Sequence, residues 1–310
     1  MNSYKIFIWF IILFSFSLQA EVIEYNFEDP NPMLSVDGKH RLCRNSVDKA
    51  PWPLFTKEVS REGNQSLKSV INRLDPINNY RMELNCLLPE RHTVNKGINT
   101  PDYWYGFSLY IPSPHSRLQV RNLNNLWQIF FQIHARPIDD NWSTYIGLSP
   151  PLALEIDPIT DFTGDILVKI RGTNKPYPQN RNDLTTLIKP IFKYQTDQWI
   201  DFVVQGRFTS DNNGFINIWV NGDKVFEFQG STYYRGHGNA YPLMGLYSGF
   251  KNIPKNHSEP VIERTIYHDS LRIALKNGSV AKVSPKPFIE SPFKNPKNIN
   301  LINKKSLYYE

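Results

Sequence analysis

The chain has 310 residues, of which 40% are hydrophobic, 14% aromatic and 21% charged. This composition provides enough apolar material for a large core and excludes an intrinsically disordered protein. The net charge is +6, but the six lysines and two glutamates of residues 282–310, together with Lys5, account for most of it. Residues 21–281 are therefore almost neutral, which argues against a nucleic-acid-binding surface.

The first twenty residues have the pattern of a secretory signal peptide. Lys5 precedes an apolar run from Ile6 to Leu18, and Ala20 supplies the small residue before a cleavage point at Glu21. The run is shorter than the roughly 20 apolar residues of a transmembrane helix. The alternative is that the segment is not cleaved and anchors the protein in the membrane. No later segment of the sequence is long and apolar enough to span a membrane. We expect a secreted or periplasmic protein.

Export would allow the two cysteines to oxidise. Cys43 and Cys86 permit a single intrachain disulfide. Two unpaired buried thiols are the alternative.

Short segments with strand character alternate with turns rich in Pro, Gly and Asn, and there is no amphipathic helix of convincing length. The predicted strands are 22–27, 57–60, 66–72, 79–87, 105–111, 126–134, 152–156, 165–171, 200–208, 214–220, 224–228, 243–250 and 261–274. We therefore expect an all-β fold, a β-jelly-roll sandwich of two antiparallel sheets with a concave substrate groove.

Two segments lack a strand pattern. Residues 172–197 contain several prolines and are predicted to form a long loop. Residues 282–310 are rich in Pro, Lys and Asn and are predicted to be a tail, which either binds acidic surfaces or is disordered. The expected organisation is a signal peptide at 1–20, one β-jelly-roll domain at 21–281 and the tail.

Alternation assigns side chains to two faces, because successive residues of a strand point to opposite sides of the sheet. In segment 127–134, the residues predicted to face the core are Trp127, Ile129, Phe131 and Ile133. Those predicted to face outward are Gln128, Phe130, Gln132 and His134. Two amides, an aromatic ring and an imidazole in one row are more typical of a groove floor than of a solvated face.

Three further predicted strands have apolar residues on one face and polar or aromatic residues on the other. The residues on this second face are Arg81, Glu83 and Asn85, then Lys169 and Arg171, then Gly245, Tyr247, Gly249 and Lys251. If the strands are neighbours, which the sequence does not determine, they form a cationic and aromatic groove that suits an anionic polymer. The expected substrate-binding residues are Gln128, Lys169, Arg171 and Lys251.

Three short motifs in these strands resemble signatures of jelly-roll polysaccharide lyases. They are Arg81-Met82-Glu83, Gln132-Ile133-His134 and Gly245-Leu246-Tyr247. The resemblance covers roughly residues 22–275. It is greatest to the glucuronan lyase and heparin lyase I-like group and more distant to alginate lyases. Alginate lyases usually have a second Arg after the first motif and a Lys before the third, where this chain has Asn85 and Leu243.

The resemblance implies β-elimination at a uronate residue. Arg81, Gln132 and His134 would neutralise the substrate carboxylate, and Tyr247 would transfer protons. In β-D-glucuronate and β-D-mannuronate, H5 and O4 lie on the same face of the sugar, so Tyr247 would serve as both base and acid. In iduronate or guluronate they lie on opposite faces, and His134 would be the base and Tyr247 the acid. The sequence does not identify the sugar.

We therefore expect a secreted polysaccharide lyase that cleaves a uronate-containing polysaccharide, glucuronan-, alginate- or heparin-like. The alternatives are a non-catalytic, lectin-like protein of the same fold and a glycoside hydrolase. Glu155-Ile156-Asp157 begins like the Glu-x-Asp-x-x-Glu motif of jelly-roll β-glucanases, but Thr160 replaces the final glutamate. The hydrolase would therefore lack its second carboxylate.

No cofactor is expected to be required. No Cys/His cluster has the spacing of a zinc site. A structural Ca²⁺ ion fits such sandwiches, but no acidic loop signature supports one. The expected partner is the anionic polysaccharide, without nucleic acid and without a membrane span after signal cleavage, and the protein is expected to be a monomer.

Overall fold

The computed structural model describes residues 22–25, 27–28, 43–45, 53–75, 80–86, 102–115, 127–135, 150–173, 175, 183–235, 240–253, 263–275 and 277–286. The predicted signal peptide and residues 287–310 of the predicted tail lie outside this set. Within it, no helix is long and apolar enough to cross a membrane.

Strands dominate the described residues, with one short helix near the end. The elements are β1 (Val22–Tyr25), β2 (Cys43–Asn45), β3 (Leu54–Thr56), β4 (Ser66–Asn72), β5 (Arg81–Cys86), β6 (Tyr103–Tyr110), β7 (Gln128–His134), β8 (Leu152–Pro158), β9 (Thr163–Gly172), β10 (Thr185–Gln195), β11 (Trp199–Arg207), β12 (Phe215–Val220), β13 (Asp223–Gln229), β14 (Tyr241–Ser248), β15 (Glu263–Leu275) and α1 (Val280–Val283).

The strands form two antiparallel sheets. One sheet, called the site sheet below, has the order β10-β9-β8-β7-β14-β5-β2. The second sheet has the order β13-β12-β11-β6-β15-β4-β3, and β1 also pairs with β15. This architecture confirms the predicted all-β jelly-roll sandwich. It also makes β5, β14, β7, β8 and β9 consecutive neighbours, as the predicted groove requires.

The core lies between the sheets and is rich in aromatic rings. Phe107 of β6 stacks on Phe131 of β7, with ring centroids 4.7 Å apart, and on Phe202 of β11 at 5.4 Å. All three side chains are fully buried. Fully burying one such ring contributes roughly 1.5–3 kcal/mol, so these contacts hold the site sheet firmly against the second sheet.

The face prediction for β7 is wrong in its first half because the strand contains a β-bulge. The pairing with β8 shifts between Ile129 and Phe131, so that Phe130 is an extra residue. Phe130 and Phe131 both belong to the buried core, whereas Trp127 packs against Tyr247 on the other face. A bulge inserts one residue and changes which side chains face each side. Gln132 and His134 remain on the predicted face.

The structure also contains a strand where the sequence predicts a long loop. β10 pairs with β9 along Thr185–Gln195 as the edge strand of the site sheet. Its register shifts between Pro190 and Phe192. An edge strand tolerates a proline, because the missing N–H faces away from the sheet or falls at a bulge. In contrast, the structure has no strand at 57–60, where the sequence predicts one. The strand β3 ends just before that segment.

The described chain packs against the second sheet beyond residue 281, where the domain was predicted to end. Val283 of α1 is fully buried. A Cβ on Gly106 would lie only 1.7 Å from the carbonyl oxygen of Val283, so α1 rests directly on β6 where that strand has no side chain.

Two buried histidines make the folded protein sensitive to acid. His268 packs against the rings of Phe107 and Phe130 and is fully buried. Burial lowers the pKa of His268 from 6.5 to about 3 and that of His115 likewise to about 3. Burial raises the pKa of Asp269 to about 6. The folded protein therefore binds a proton at Asp269 before the unfolded chain does, and this opposes the effect of the histidines on stability.

We expect stability to fall as the pH drops from about 6.5 towards 3, because the unfolded chain protonates these histidines first. Each histidine should cost about 1.4 kcal/mol per pH unit in this window, partly offset by Asp269 between about pH 4 and 6. The His268→Gln variant should therefore show a shallower fall of Tm than the wild type between pH 7 and 4. Parallel Tm profiles of the two proteins would contradict this assignment.

Candidate active site

The outward face of the site sheet carries several of the predicted residues in two rows that run across the strands, with the pair Glu83 and Gly245 between the rows on β5 and β14. The first row, in register order, is Arg81, Tyr247, Ile129 and Glu155. The second row is Asn85, Leu243, Gln132, Ala153 and Lys169. Residues from five strands thus meet on one surface, which we call the site face.

A buried carboxylate connects two of the predicted catalytic residues. Glu83 of β5 is fully buried and accepts a hydrogen bond from Arg81 Nε at 2.5 Å. Its other oxygen accepts one from Gln132 Nε2 at 2.6 Å. Burial alone would lower the pKa of Arg81, but the Glu83 carboxylate outweighs it, and the pKa of Arg81 is raised. The guanidinium therefore stays charged at the site face.

Tyr247 is enclosed by one cation and two aromatic rings. The guanidinium carbon of Arg81 lies 4.6 Å from the centroid of the Tyr247 ring. The Trp127 ring meets it edge-on at 4.3 Å, and the Tyr80 ring lies 6.0 Å away. These contacts restrict the ring of Tyr247, and they place a permanent positive charge where a phenolate would form.

His134 lies farther along the site face than Tyr247. It pairs in register with Tyr241, with ring centroids 5.4 Å apart, whereas Tyr247 pairs with Ile129. The two pairings are five positions apart on β7, at most about 17 Å along the strand. His134 Nδ1 donates to the carbonyl oxygen of Ala135 at 2.7 Å, because a carbonyl only accepts. Proton exchange with a ligand would therefore use Nε2 of His134.

Lys169 and Arg171 project onto the site face from β9, but each already has a protein partner. Lys169 Nζ forms a salt bridge of 2.6 Å with Glu155, and Arg171 donates to the carbonyl oxygen of Pro150 at 3.1 Å. Burial raises the pKa of Glu155, although Lys169 opposes the shift. The two cations extend the positive edge of the site by two strands beyond β7.

Two predicted substrate-binding residues are not brought to the site face. The bulge in β7 leaves Gln128 with 1% exposure, and its Oε1 lies 3.0 Å from Nε2 of the buried His115. The prediction that Gln128 faces the groove is therefore wrong. For Lys251, strand alternation does not apply, because β14 ends at Ser248 and a 3₁₀ turn, Gly249–Asn252, follows. The side chain of Lys251 lies outside the described residues.

The backbones of the two cysteines face each other directly. Cys43 of β2 and Cys86 of β5 are register partners at the edge of the site sheet. Directly opposed residues of an antiparallel pair have Cα atoms about 4.5–5.5 Å apart, within the range of disulfides. Their side chains lie outside the described residues, so the disulfide stays a prediction.

Two polar residues of the site face were not identified from the sequence as site residues. Glu83 was placed on this face as part of a motif, but no role followed from alternation alone. Tyr241 shares the face with Tyr247 and contributes to the raised pKa of Arg81. Extending the alternation backwards from Tyr247 would have found it. Across the described residues, no group of three or more His, Cys, Asp or Glu side chains is arranged to hold a metal ion.

The arrangement can bind a carboxylate and move a proton beside it. Arg81 supplies a fixed positive charge, Gln132 an amide, and Tyr247 a phenol in direct contact with the cation. Such groups stabilise an anion that develops next to the phenol.

Comparisons with known proteins concern the fold and the sequence family. The fold is similar to that of an endo-β-1,4-glucuronan lyase from the fungus Trichoderma reesei, with a TM-score of 0.56, 18% identity, and 79% of this chain and 93% of that chain covered. A marine alginate lyase from Zobellia galactanivorans has a TM-score of 0.43 at 13% identity, covering 74% and 82%. The sequence has no match among curated proteins. The model of the protein family described as polysaccharide lyase matches residues 42–272 of the sequence, and the chain therefore belongs to the polysaccharide lyase family.

Proposed function

We propose that this polysaccharide lyase cleaves a β-1,4-linked polymer of D-glucuronate, or of the related D-mannuronate, by β-elimination at the site face. The observation that carries the proposal is the contact of Arg81 with Tyr247, with the guanidinium carbon 4.6 Å from the ring centroid. It joins a carboxylate-binding group and a proton-transfer group in one place. The glucuronan lyase of similar fold supports the choice of polymer.

The chemistry needs both groups at once. The C5 proton is α to the sugar carboxylate and is weakly acidic while that carboxylate stays negative. Arg81 neutralises the carboxylate and stabilises the enolate that forms when C5 loses its proton. The electron pair then forms the C4=C5 bond, the C4–O4 bond breaks, and the leaving O4 takes up a proton.

Tyr247 performs both proton transfers in this proposal. As the phenolate it takes the C5 proton, and as the phenol it then gives a proton to O4. One residue can do this only where H5 and O4 lie on the same face of the sugar. The distance between the register positions of Tyr247 and His134 favours this mechanism over one that divides the transfers between them. The substrate should therefore be a glucuronate or mannuronate polymer.

Lys169 and Arg171 bind further carboxylates of the polymer in this proposal. They lie three strands away from the Tyr247 strand, on the side opposite Arg81. A polymer that crosses the strands would pass from Arg81 to Lys169. Lys251 remains a candidate for the same role beyond Tyr247.

Mixing the purified protein with glucuronan, polymannuronate, polyguluronate and heparin in separate reactions tests the substrate. Elimination leaves a C4=C5 bond conjugated to the carboxylate, which absorbs in the near ultraviolet. We expect absorbance to rise with glucuronan or polymannuronate and to rise at least ten-fold more slowly with the other two. A faster rise with polyguluronate or heparin would contradict the same-face mechanism, and no rise with any polymer would contradict the uronate substrate.

We further propose that the protein is exported and contains the Cys43–Cys86 disulfide. The apolar segment of residues 6–18 supports export, and the direct register pairing of the cysteines supports the bond. Intact-mass measurement of the protein secreted by its natural host should show loss of residues 1–20 and a mass two hydrogens below that of the reduced chain.

A further inference from the structure

Glu83 connects two of the proposed catalytic residues on the site face. Its carboxylate has no exposed surface, and it reaches from β5 across β14 to a residue of β7. One oxygen accepts from Arg81 Nε and the other from Gln132 Nε2, at 2.5 and 2.6 Å. Both bonds are short, and one of them joins opposite charges, so the pair belongs to the strong class of hydrogen bonds.

Gly245 makes this reach across β14 sterically feasible. It is the register partner of Glu83 and has φ +143°, a conformation that side chains rarely adopt. A Cβ at this position would lie 2.3 Å from the carbonyl oxygen of Met82 and 2.6 Å from the Cα of Glu83. Glycine therefore permits the close approach of β14 to β5 and leaves no side chain between Glu83 and Gln132.

The contact sets the orientation of the Gln132 amide. A carboxylate only accepts hydrogen bonds, so the NH₂ group of Gln132 must face Glu83. The Oε1 atom of Gln132 is buried and has no hydrogen-bond partner. That oxygen is left to accept a hydrogen bond from a ligand, and a sugar hydroxyl is a donor of the required kind.

The same contact holds Arg81 by one edge. Nε is engaged by Glu83, so the opposite edge of the guanidinium, formed by its two terminal nitrogens, remains for a substrate carboxylate. The negative charge of Glu83 also lies next to the cation that contacts Tyr247. Glu83 thereby lessens the positive potential that Tyr247 experiences.

We infer that Glu83 is the positioning residue of this active site: it holds the Arg81 guanidinium against Tyr247 and turns the Gln132 amide so that its oxygen meets a hydroxyl of the polymer. This inference rests on the proposed function for its kinetic consequences. The hydrogen bonds themselves can be tested without any substrate.

Three variants of the full chain distinguish the effect of the Glu83 charge, the effect of the Glu83 side-chain length and the general effect of losing a buried carboxylate. Glu83→Gln keeps the shape and removes the charge, and Glu83→Asp keeps the charge and shortens the reach. The control is Asp201→Asn in the second sheet. Asp201 also joins an arginine, Arg61, to a neutral donor, the hydroxyl of Ser108, but lies away from the site face.

The first measurement is hydrogen exchange at Arg81 Nε–H and the Gln132 amide, by NMR of ¹⁵N-labelled protein. We expect slow exchange in the wild type and in Asp201→Asn, and exchange at least ten-fold faster at both groups in the two Glu83 variants. Unchanged exchange in both variants would overturn the inference. This result stands even if the wild type eliminates none of the four polymers, in which case only the proposed function fails.

The second measurement is the pH profile of kcat and KM on glucuronan. In Glu83→Gln, kcat should fall about 10–100-fold with a smaller change in KM, as expected for loss of an aligned group. The acid limb should move to lower pH, because Arg81 is then uncompensated and favours a phenolate. In Glu83→Asp, kcat should fall while the acid limb stays in place, and Asp201→Asn should change neither. A Glu83→Gln variant with wild-type kcat and acid limb would show a purely structural role and overturn the inference.

Discussion

Replacing Tyr247 with phenylalanine should abolish elimination while leaving the polymer bound. The variant loses the hydroxyl that acts as both base and acid, and each such role contributes typically 10²- to 10⁴-fold, so kcat should fall by about 10³-fold or more. The ring contacts with Arg81 and Trp127 remain, so the affinity for glucuronan should change less than about three-fold. Absorbance assays and isothermal titration calorimetry measure the two quantities.

The matched control is Tyr110→Phe, which removes a phenol hydroxyl from the second sheet. Tyr110 hydrogen-bonds to Asp197 through its hydroxyl and lies away from the site face. The Tyr110→Phe substitution should change the free energy of unfolding by less than about 0.5 kcal/mol, as is usual for surface positions. The kcat of this variant should stay within about two-fold of the wild type. A Tyr247→Phe protein that keeps a tenth of the wild-type kcat would exclude Tyr247 as the proton-transfer residue.

Removing the side chain of Arg81 should damage both stability and activity. In Arg81→Met, the Glu83 carboxylate stays buried without its cation, a change that typically costs 3–5 kcal/mol of folding free energy. Loss of the charge at the developing enolate should lower kcat/KM by roughly 10²- to 10³-fold. Chemical denaturation and initial rates on glucuronan would measure these two losses.

The double variant Arg81→Met/Glu83→Gln separates the two losses. With both charges gone, most of the folding free energy should return, because a buried pair replaced on both sides is often close to neutral. Activity should remain at the level of Arg81→Met. Recovery of activity together with stability would mean that Arg81 acts only by keeping the protein folded.

Alternation predicted the site face well wherever a strand is regular. On β5, Met82 and Leu84 belong to the core, and Arg81 and Glu83 meet on the site face, as expected. The prediction failed at β7, since a bulge depends on pairing with neighbouring strands and has no signature in the run of residues around Phe130. Gln128 was misplaced for this reason.

The order of the strands could not be read from the sequence, because pairing depends on contacts distant along the chain. The sequence placed Arg81, Gln132 and Tyr247 on strands with the correct facing, but only the sheet order β7-β14-β5 brings them together. β10 was missed because Pro190 and the prolines that precede the strand are typical of a loop, although an edge strand accommodates Pro190. The role of Glu83 depends on crossing β14, and local sequence carries no information on that contact.

Mass spectrometry of the products of glucuronan tests the central claim most directly. Elimination at the site face predicts oligosaccharides with a mass equal to a whole number of glucuronate residues, each with one C4=C5 bond at its non-reducing end. These products should form with the wild type and be absent with Tyr247→Phe. Products heavier by one water would show hydrolysis instead, and unsaturated products from Tyr247→Phe at the wild-type rate would place the chemistry on another residue.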